Sequence, residues 1–338
     1  MSLETEGAAV DWPGRVWKAG TAQAQAGQKV SGLIDYGSSA DGSTLASPVC
    51  LLIGRQAGPC LYVQAAVHGN EINGIEVLRR VLEELDPVAL SGAIIAVPVV
   101  NPSGFVNDAR RNQFDREDMN RVWPGKEGGQ ASQQSTLALY REAVSQADYI
   151  VDLHTAGAGT LLHVVYGQGD PASRALAEAF GVGVLLEEPV SEDWKQARFA
   201  GKLRNLAASK GVPSITPELG ATSTFEEPSI LAGVRGLLNV LKHLKMLEGE
   251  PELPARQVTL IGSHLDQVRA RQGGLFVAQV RPGEMVTEGQ VLGFTYSVRD
   301  FQPVEIFHAP YAAMILSVTA RPITNTGSGV VSLGLIER

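Results

Sequence analysis

Cysteine is almost missing from this chain. Cys50 and Cys60 are the only two in 338 residues, too few for a disulfide framework, so a packed core has to hold the fold. Both lie in apolar runs, as buried free thiols do, with a bridge between neighbouring strands as the alternative. Positive charge is also in the minority: 28 Lys and Arg against 36 Asp and Glu leave a net charge of −8. That balance argues against a nucleic-acid or anionic-membrane partner but allows a local basic pocket. No apolar run is long enough to span a bilayer. The N-terminal MSLETEGAAVDWPG has no positively charged start followed by an apolar core, so no secretory leader is expected and a cytoplasmic location fits best. GxxxxGK(S/T) and GxSxG are both absent, which disfavours phosphate-loop and serine-hydrolase chemistry.

What is present suits a globular enzyme-sized protein. With 44% hydrophobic and 19% charged residues disorder is not expected, and the length allows one large domain plus a smaller one. Residues 1–15 read as a loose tail, and short broken runs from Arg15 to Ile53 as edge strands. Cys60–Val67 is a continuous apolar strand that runs into a helix carried by Ile72, Val77, Leu78 and Val81, with Asn70 as N-cap and Gly69 at the turn. Further strands are expected at Gly92–Asn101, in ADYIVDLHTAG, at Leu162–Tyr166 and before Glu218. Helices are expected at Ser135–Ala147, Pro171–Ala179, Gly201–Lys210 and Pro228–Leu247. This alternation predicts an α/β fold with a mixed, largely parallel sheet flanked by helices. The stretch Asn107–Gly125 is dense in Arg, Asp and Asn and reads as a long surface loop, and SEDWKQARF as a loop or lid. After EGEPELP the pattern becomes short alternating strands between GG, PG, EG and AP turns. An α/β domain over 1–253 and an all-β domain over 254–338 follow.

In parallel α/β sheets the ligand site lies beyond the carboxyl ends of the strands. There this sequence places His68 and Glu71, then His154, then Glu218. An isolated HxxE is common and has a bland reading, a strand-end His with a first-turn Glu complementing the helix dipole. Joined by His154 it becomes two His and one Glu, the ligand set of a hydrolytic zinc site with an open position. Asp152 either orients His154 as a second carboxylate or helps bind the neighbouring loop, or it is a strand-end acid without a role.

The ordered strings HGNE, NPSGF, RRNQFDREDMNRVWPG, DLHT and ITPELG resemble the succinylglutamate desuccinylase and aspartoacylase family, whose catalytic fold is similar to that of the zinc carboxypeptidases. The resemblance runs from about Val63 to Leu247 and implies one zinc ion per chain on His68, Glu71 and His154. It also implies Glu218 as general base, Asn120 and Arg121 as the pair that grips a substrate carboxylate, and Arg111 near the scissile carbonyl oxygen. Arg110, its neighbour, is the alternative. The implied activity is removal of an N-acyl group from a small amino acid or derivative. A peptide-cleaving zinc carboxypeptidase and a non-catalytic binding protein are the competing readings. The C-terminal part resembles the barrel-sandwich domains of biotinyl and lipoyl carriers, but no lysine follows Lys245 to be modified. It is therefore not a swinging-arm carrier, and what the family resemblance implies for this appendage is a place at the substrate entrance or in a homo-oligomer interface.

Overall fold

The computed structural model describes residues 12–189 and 201–337. The chain begins with a small hairpin, β1 (Trp17–Ala19) and β2 (Ala22–Ala24), then β3 (Gln28–Ser38), β4 (Thr44–Ile53), β5 (Gln56–Ala65), α1 (Asn73–Glu84), β6 (Ser91–Val97) and a short α2 (Pro102–Val106). After the long Arg-rich stretch come α3 (Ala131–Glu142), β7 (Tyr149–Leu153), β8 (His163–Gly167), α4 (Pro171–Phe180) and β9 (Val184–Glu188). α5 (Leu203–Ser209), β10 (Ser214–Glu218) and α6 (Glu227–His243) complete the α/β part. The remainder is strands: β11 (Val258–Arg269), β12 (Gly274–Ala278), β13 (Met285–Val286), β14 (Val291–Tyr296), β15 (Pro303–His308), β16 (Ala313–Val318), β17 (Ile323–Thr324) and β18 (Gly329–Ile336).

The central sheet runs β13-β16-β18-β11-β9-β8-β10-β7-β5-β6-β4-β3. β5, β6, β7 and β10 are mutually parallel, β8 enters antiparallel to β10, and β9 is parallel to β8. Side-chain alternation on β5 feeds two cores. Leu61, Val63 and Ala65 pack under α1, α4 and α6, whereas Cys60 and Tyr62 face the layer of α3, α5 and the Trp12–Trp17 cluster. Cys50 packs against the first core and Cys60 lies in the second, with β6 between their strands, so both thiols are free.

Several sequence expectations change. Trp12 is not part of a loose tail: it is buried and its indole N–H donates to Gly54 O at 3.0 Å, because the open face of β4 leaves apolar surface that an aromatic side chain can cover. Helix α1 starts at Asn73 rather than on an Asn70 cap. Glu71 therefore sits before the helix, in a turn closed by its own N–H donating to His68 O at 3.0 Å. Asn73 is fully buried and donates to Leu219 O at 2.7 Å, tying the start of α1 to the end of β10. The SEDWKQARF segment lies outside the described residues.

The C-terminal strands form a two-layer module. β12, β14, β15 and β17 make one sheet, and Phe276 meets Phe307 edge-on in the core at 5.5 Å. The other layer is continuous with the central sheet. Val258–Ile261 of β11 pair in parallel with β9, and the later part of the same strand pairs antiparallel with β18. β16 also holds the loop that follows His154, through Leu161 N to Leu316 O and Val318 N to Gly159 O, each at 2.9 Å.

Candidate active site

Three strand ends converge. β5 delivers His68, β7 delivers His154, and β10 delivers Glu218, with His154 and Glu218 facing each other as a parallel bridge. The bridge is fixed by His154 N donating to Pro217 O at 2.9 Å and Leu219 N donating to His154 O at 2.8 Å. Ahead of His68 the chain turns through Ala66 at φ 49, a conformation that costs about 1 kcal/mol or more for a residue with a Cβ. Gly69 is needed for a close approach: a Cβ there would lie 2.0 Å from the Gly104 carbonyl carbon. The HGNE turn thus rests directly on the NPSGF turn.

His68, Glu71 and His154 are all buried, and their ligand atoms lie within 4.8 Å of one another. Glu71 stands between the imidazoles, with Oε1 2.7 Å from His68 Nδ1 and Oε2 2.9 Å from His154 Nδ1. Each outer nitrogen faces an aspartate. His68 Nε2 is 3.0 Å from Asp118 Oδ1, and His154 Nε2 is 3.1 Å from Asp152 Oδ2. Of the readings of Asp152, contact with His154 is the one found. Its other oxygen accepts from Gln64 Nε2 at 2.8 Å, and Gln64 Oε1 accepts from the Tyr62 hydroxyl at 2.9 Å. Burial alone would raise the Glu71 carboxyl, but the charges of His68 and His154 and their hydrogen bonds hold it well below the usual range. Asp118 is lowered in the same way against its burial, by His68 and then Arg110 and Arg121. Such a donor set, two imidazoles and a carboxylate kept ionised, can hold a divalent cation.

The cavity above these residues measures about 210 Å³ and is also lined by Arg110, Asn120, Arg121, Lys202, Arg204, Glu188 and Glu218. Glu218 Oε2 is buried with no hydrogen-bond partner among the described residues. Of the two candidate arginines, Arg111 donates its guanidinium to Arg116 O at 3.0 Å and is not among the residues that line the cavity. Arg110 lines it instead, donating to Glu71 Oε1 and Asp118 Oδ2, each at 3.2 Å. The two residues are adjacent in an irregular segment, where direction follows from loop contacts rather than from any periodicity. Asn120 Nδ2 lies 3.3 Å from His154 Nε2, and Arg121 lines the same wall.

Sequence reasoning missed Asp118, Glu188, Lys202 and Arg204. A signal existed for Arg204, a charged residue amid Leu203, Leu206 and Ala207. It is buried, donates to Thr216 Oγ1 at 3.1 Å and pairs with Glu188. Burial brings its guanidinium down to about 10. Burial, and then the nearby charge of Arg121, bring Lys202 down to about 8.

Residues 57–244 match the succinylglutamate desuccinylase/aspartoacylase catalytic domain. The chain belongs to that family. It is 26% identical over 255 residues, 73% of either chain, to N-alpha-acetyl-L-2,4-diaminobutyric acid deacetylase of Halomonas elongata. A succinylglutamate desuccinylase from Silicibacter sp. TM1040 superposes with a TM-score of 0.80 at 24% identity, covering 91% of this chain and 95% of the other. A succinylglutamate desuccinylase/aspartoacylase from Rhodobacter sphaeroides gives 0.80 and 24% over 98% and 99%. These likenesses extend the shared fold beyond the family's catalytic domain into the C-terminal strands. Among the described residues no helix is long and apolar enough to cross a membrane.

Proposed function

We propose that this family member is a zinc-dependent, cytoplasmic amidohydrolase that removes an N-acyl group, acetyl, succinyl or similar, from an amino acid or a close derivative. Its catalytic unit, residues 1–253, would be related to the zinc carboxypeptidases, with the β module over 254–338 narrowing the entrance against long peptides. One observation carries the reading: the buried His68, Glu71 and His154 donor set shares a cavity with a Glu218 carboxylate whose Oε2 has no partner among the described residues. A buried acceptor left bare costs about 1 to 3 kcal/mol, so a site that keeps one reserves it for a reactant. The deacetylase activity named for the Halomonas elongata relative supports the same class.

A zinc ion on His68, Glu71 and His154 would supply a Lewis acid for the scissile carbonyl and make water a better nucleophile. Asp118 and Asp152 hold the far nitrogens of the two imidazoles and so set ring orientation. Glu218 takes a proton from the attacking water and hands it to the amide nitrogen as the C–N bond breaks, so that the amine leaves neutral. Arg110 is the guanidinium beside Glu71 and stabilises negative charge on the carbonyl oxygen. Asn120 and Arg121 hold the substrate carboxylate. Metal analysis combined with an assay on acetyl, succinyl and aspartyl amino acids tests this. One zinc per chain and turnover of at least one of them is expected, and bound zinc without hydrolysis of any would reduce the site to a binding pocket.

A further inference from the structure

Beside the Asn120 and Arg121 wall the cavity holds a cation that the deacylation scheme does not use. Lys202 is the residue between two backbone anchors. Trp123 N donates to Gly201 O at 3.0 Å, and Leu203 N donates to Asn120 Oδ1 at 3.2 Å. Gly201 lies so close that a Cβ would stand 1.8 Å from Arg121 O. Residues on both sides of Lys202 are thereby tied to the segment Asn120–Trp123, and the ammonium and the Arg121 guanidinium share one wall of the same cavity.

Two cations that line one cavity within electrostatic reach of each other repel, and an anion bound between them relieves the repulsion. Lys202 is only 14% exposed, and its Nζ donates to Glu188 Oε1 and Oε2 at 3.2 and 3.0 Å. Glu188 does not depend on Lys202 for its neutralisation. Arg204, itself buried and braced by Thr216, pairs with the same carboxylate. The ammonium can therefore turn from Glu188 toward a ligand without leaving a carboxylate uncompensated. Asp118 and Glu218 are the other acids within electrostatic reach of it.

We infer that Lys202 completes the substrate-carboxylate subsite with Asn120 and Arg121, so that the ligand is an N-acyl amino acid whose carboxylate lies between the guanidinium and the ammonium. This specificity role rests on the deacylase reading, and its test separates the two.

Calorimetric titration with L-2,4-diaminobutyrate, the amine that deacylation would release, and with its carboxamide reads the subsite without turnover. Wild type should bind the carboxylate about ten-fold or more tightly than the carboxamide. Lys202→Gln should weaken the carboxylate roughly 10- to 100-fold, as expected for a hydrogen bond to a charged group, and the carboxamide less than about 3-fold. Lys202→Arg should keep most of the preference, and Lys202→Met replaces Lys202→Gln if the latter does not fold. In turnover assays the loss should fall on KM more than on kcat. Equal weakening of both ligands in Lys202→Gln, or no preference in wild type, overturns the subsite. Selective, Lys202-dependent carboxylate binding by a protein that hydrolyses no N-acyl substrate would sink the deacylase reading and leave the subsite standing. Hydrolysis with an undiminished carboxylate preference in Lys202→Gln would do the reverse.

Discussion

Replacing Glu218 by Gln separates catalysis from folding and from metal binding more cleanly than any other change at this site. The residue ends β10, and its backbone neighbours are pinned by the bonds from His154 N to Pro217 O and from Leu219 N to His154 O. Its Oε2 has no partner among the described residues, so an isosteric amide breaks no hydrogen bond seen at that oxygen, and the loss of its charge near Lys202 and Arg204 should change stability by only about 1 kcal/mol. The carboxylate also lies outside the His68, Glu71 and His154 group, whose atoms converge within 4.8 Å, so zinc content should hold near one per chain. Turnover behaves differently because the amide cannot accept a proton. A general base contributes about 100- to 10,000-fold, or roughly 2.7 to 5.5 kcal/mol of barrier. The upper end is expected, since the same group must also protonate the amine. The assay is kcat on the best substrate of the acyl-amino-acid panel, with metal content and a thermal melt measured on the same preparation. Wild-type turnover in Glu218→Gln would mean another group moves the proton, and loss of zinc would mean that Glu218 is itself a ligand.

His68→Ala and His154→Ala should each lose zinc and activity together, because the two donors left bind a cation poorly; full occupancy by metal analysis would remove both from the ligand set. Arg110→Ala should cut kcat/KM by roughly 100-fold with zinc retained, whereas Arg111→Ala should stay near wild type, a contrast that steady-state kinetics decides. Lys202 also predicts a pH effect on stability. Its folded value of about 8 lies below the ordinary 10.5, so the folded protein holds fewer protons than the unfolded chain between those values. The charge at Lys202 is thus a penalty of at most about 3 kcal/mol, present in full below pH 8 and fading as pH rises toward 10.5. Denaturant melts should find Lys202→Met more stable than wild type at pH 7 and the gap closing by pH 10; a gap independent of pH would refute the shift.

How much of this was legible follows from what local pattern encodes. A continuous apolar run such as Cys60–Val67 and the stripe of Val77, Leu78 and Val81 specify a buried strand and a one-sided helix, because side-chain direction repeats every two residues in one and every 3.6 in the other. Strand ends were therefore readable, and with them His68, His154 and Glu218, since parallel strands gather their carboxyl ends at one sheet edge. The family was legible in another way, through the resemblance of the ordered motifs between Val63 and Leu247. Directions in irregular segments follow no period, and there only tertiary contacts decided. Arg110 rather than Arg111 reaches the cavity because Glu71 and Asp118 receive its guanidinium. Asp118 meets His68 across 50 residues of chain, and Lys202 comes to line the same cavity as Arg121 through the bonds that tie Gly201 and Leu203 to that segment. The composition change after Pro254 announced a β module. That its first strand would continue the central sheet beside β9, and that β16 would hold the loop after His154, depended on pairing between backbones far apart in sequence. Hydrogen-bond partners of that kind are chosen by the assembled sheet, and no single stretch of residues specifies them.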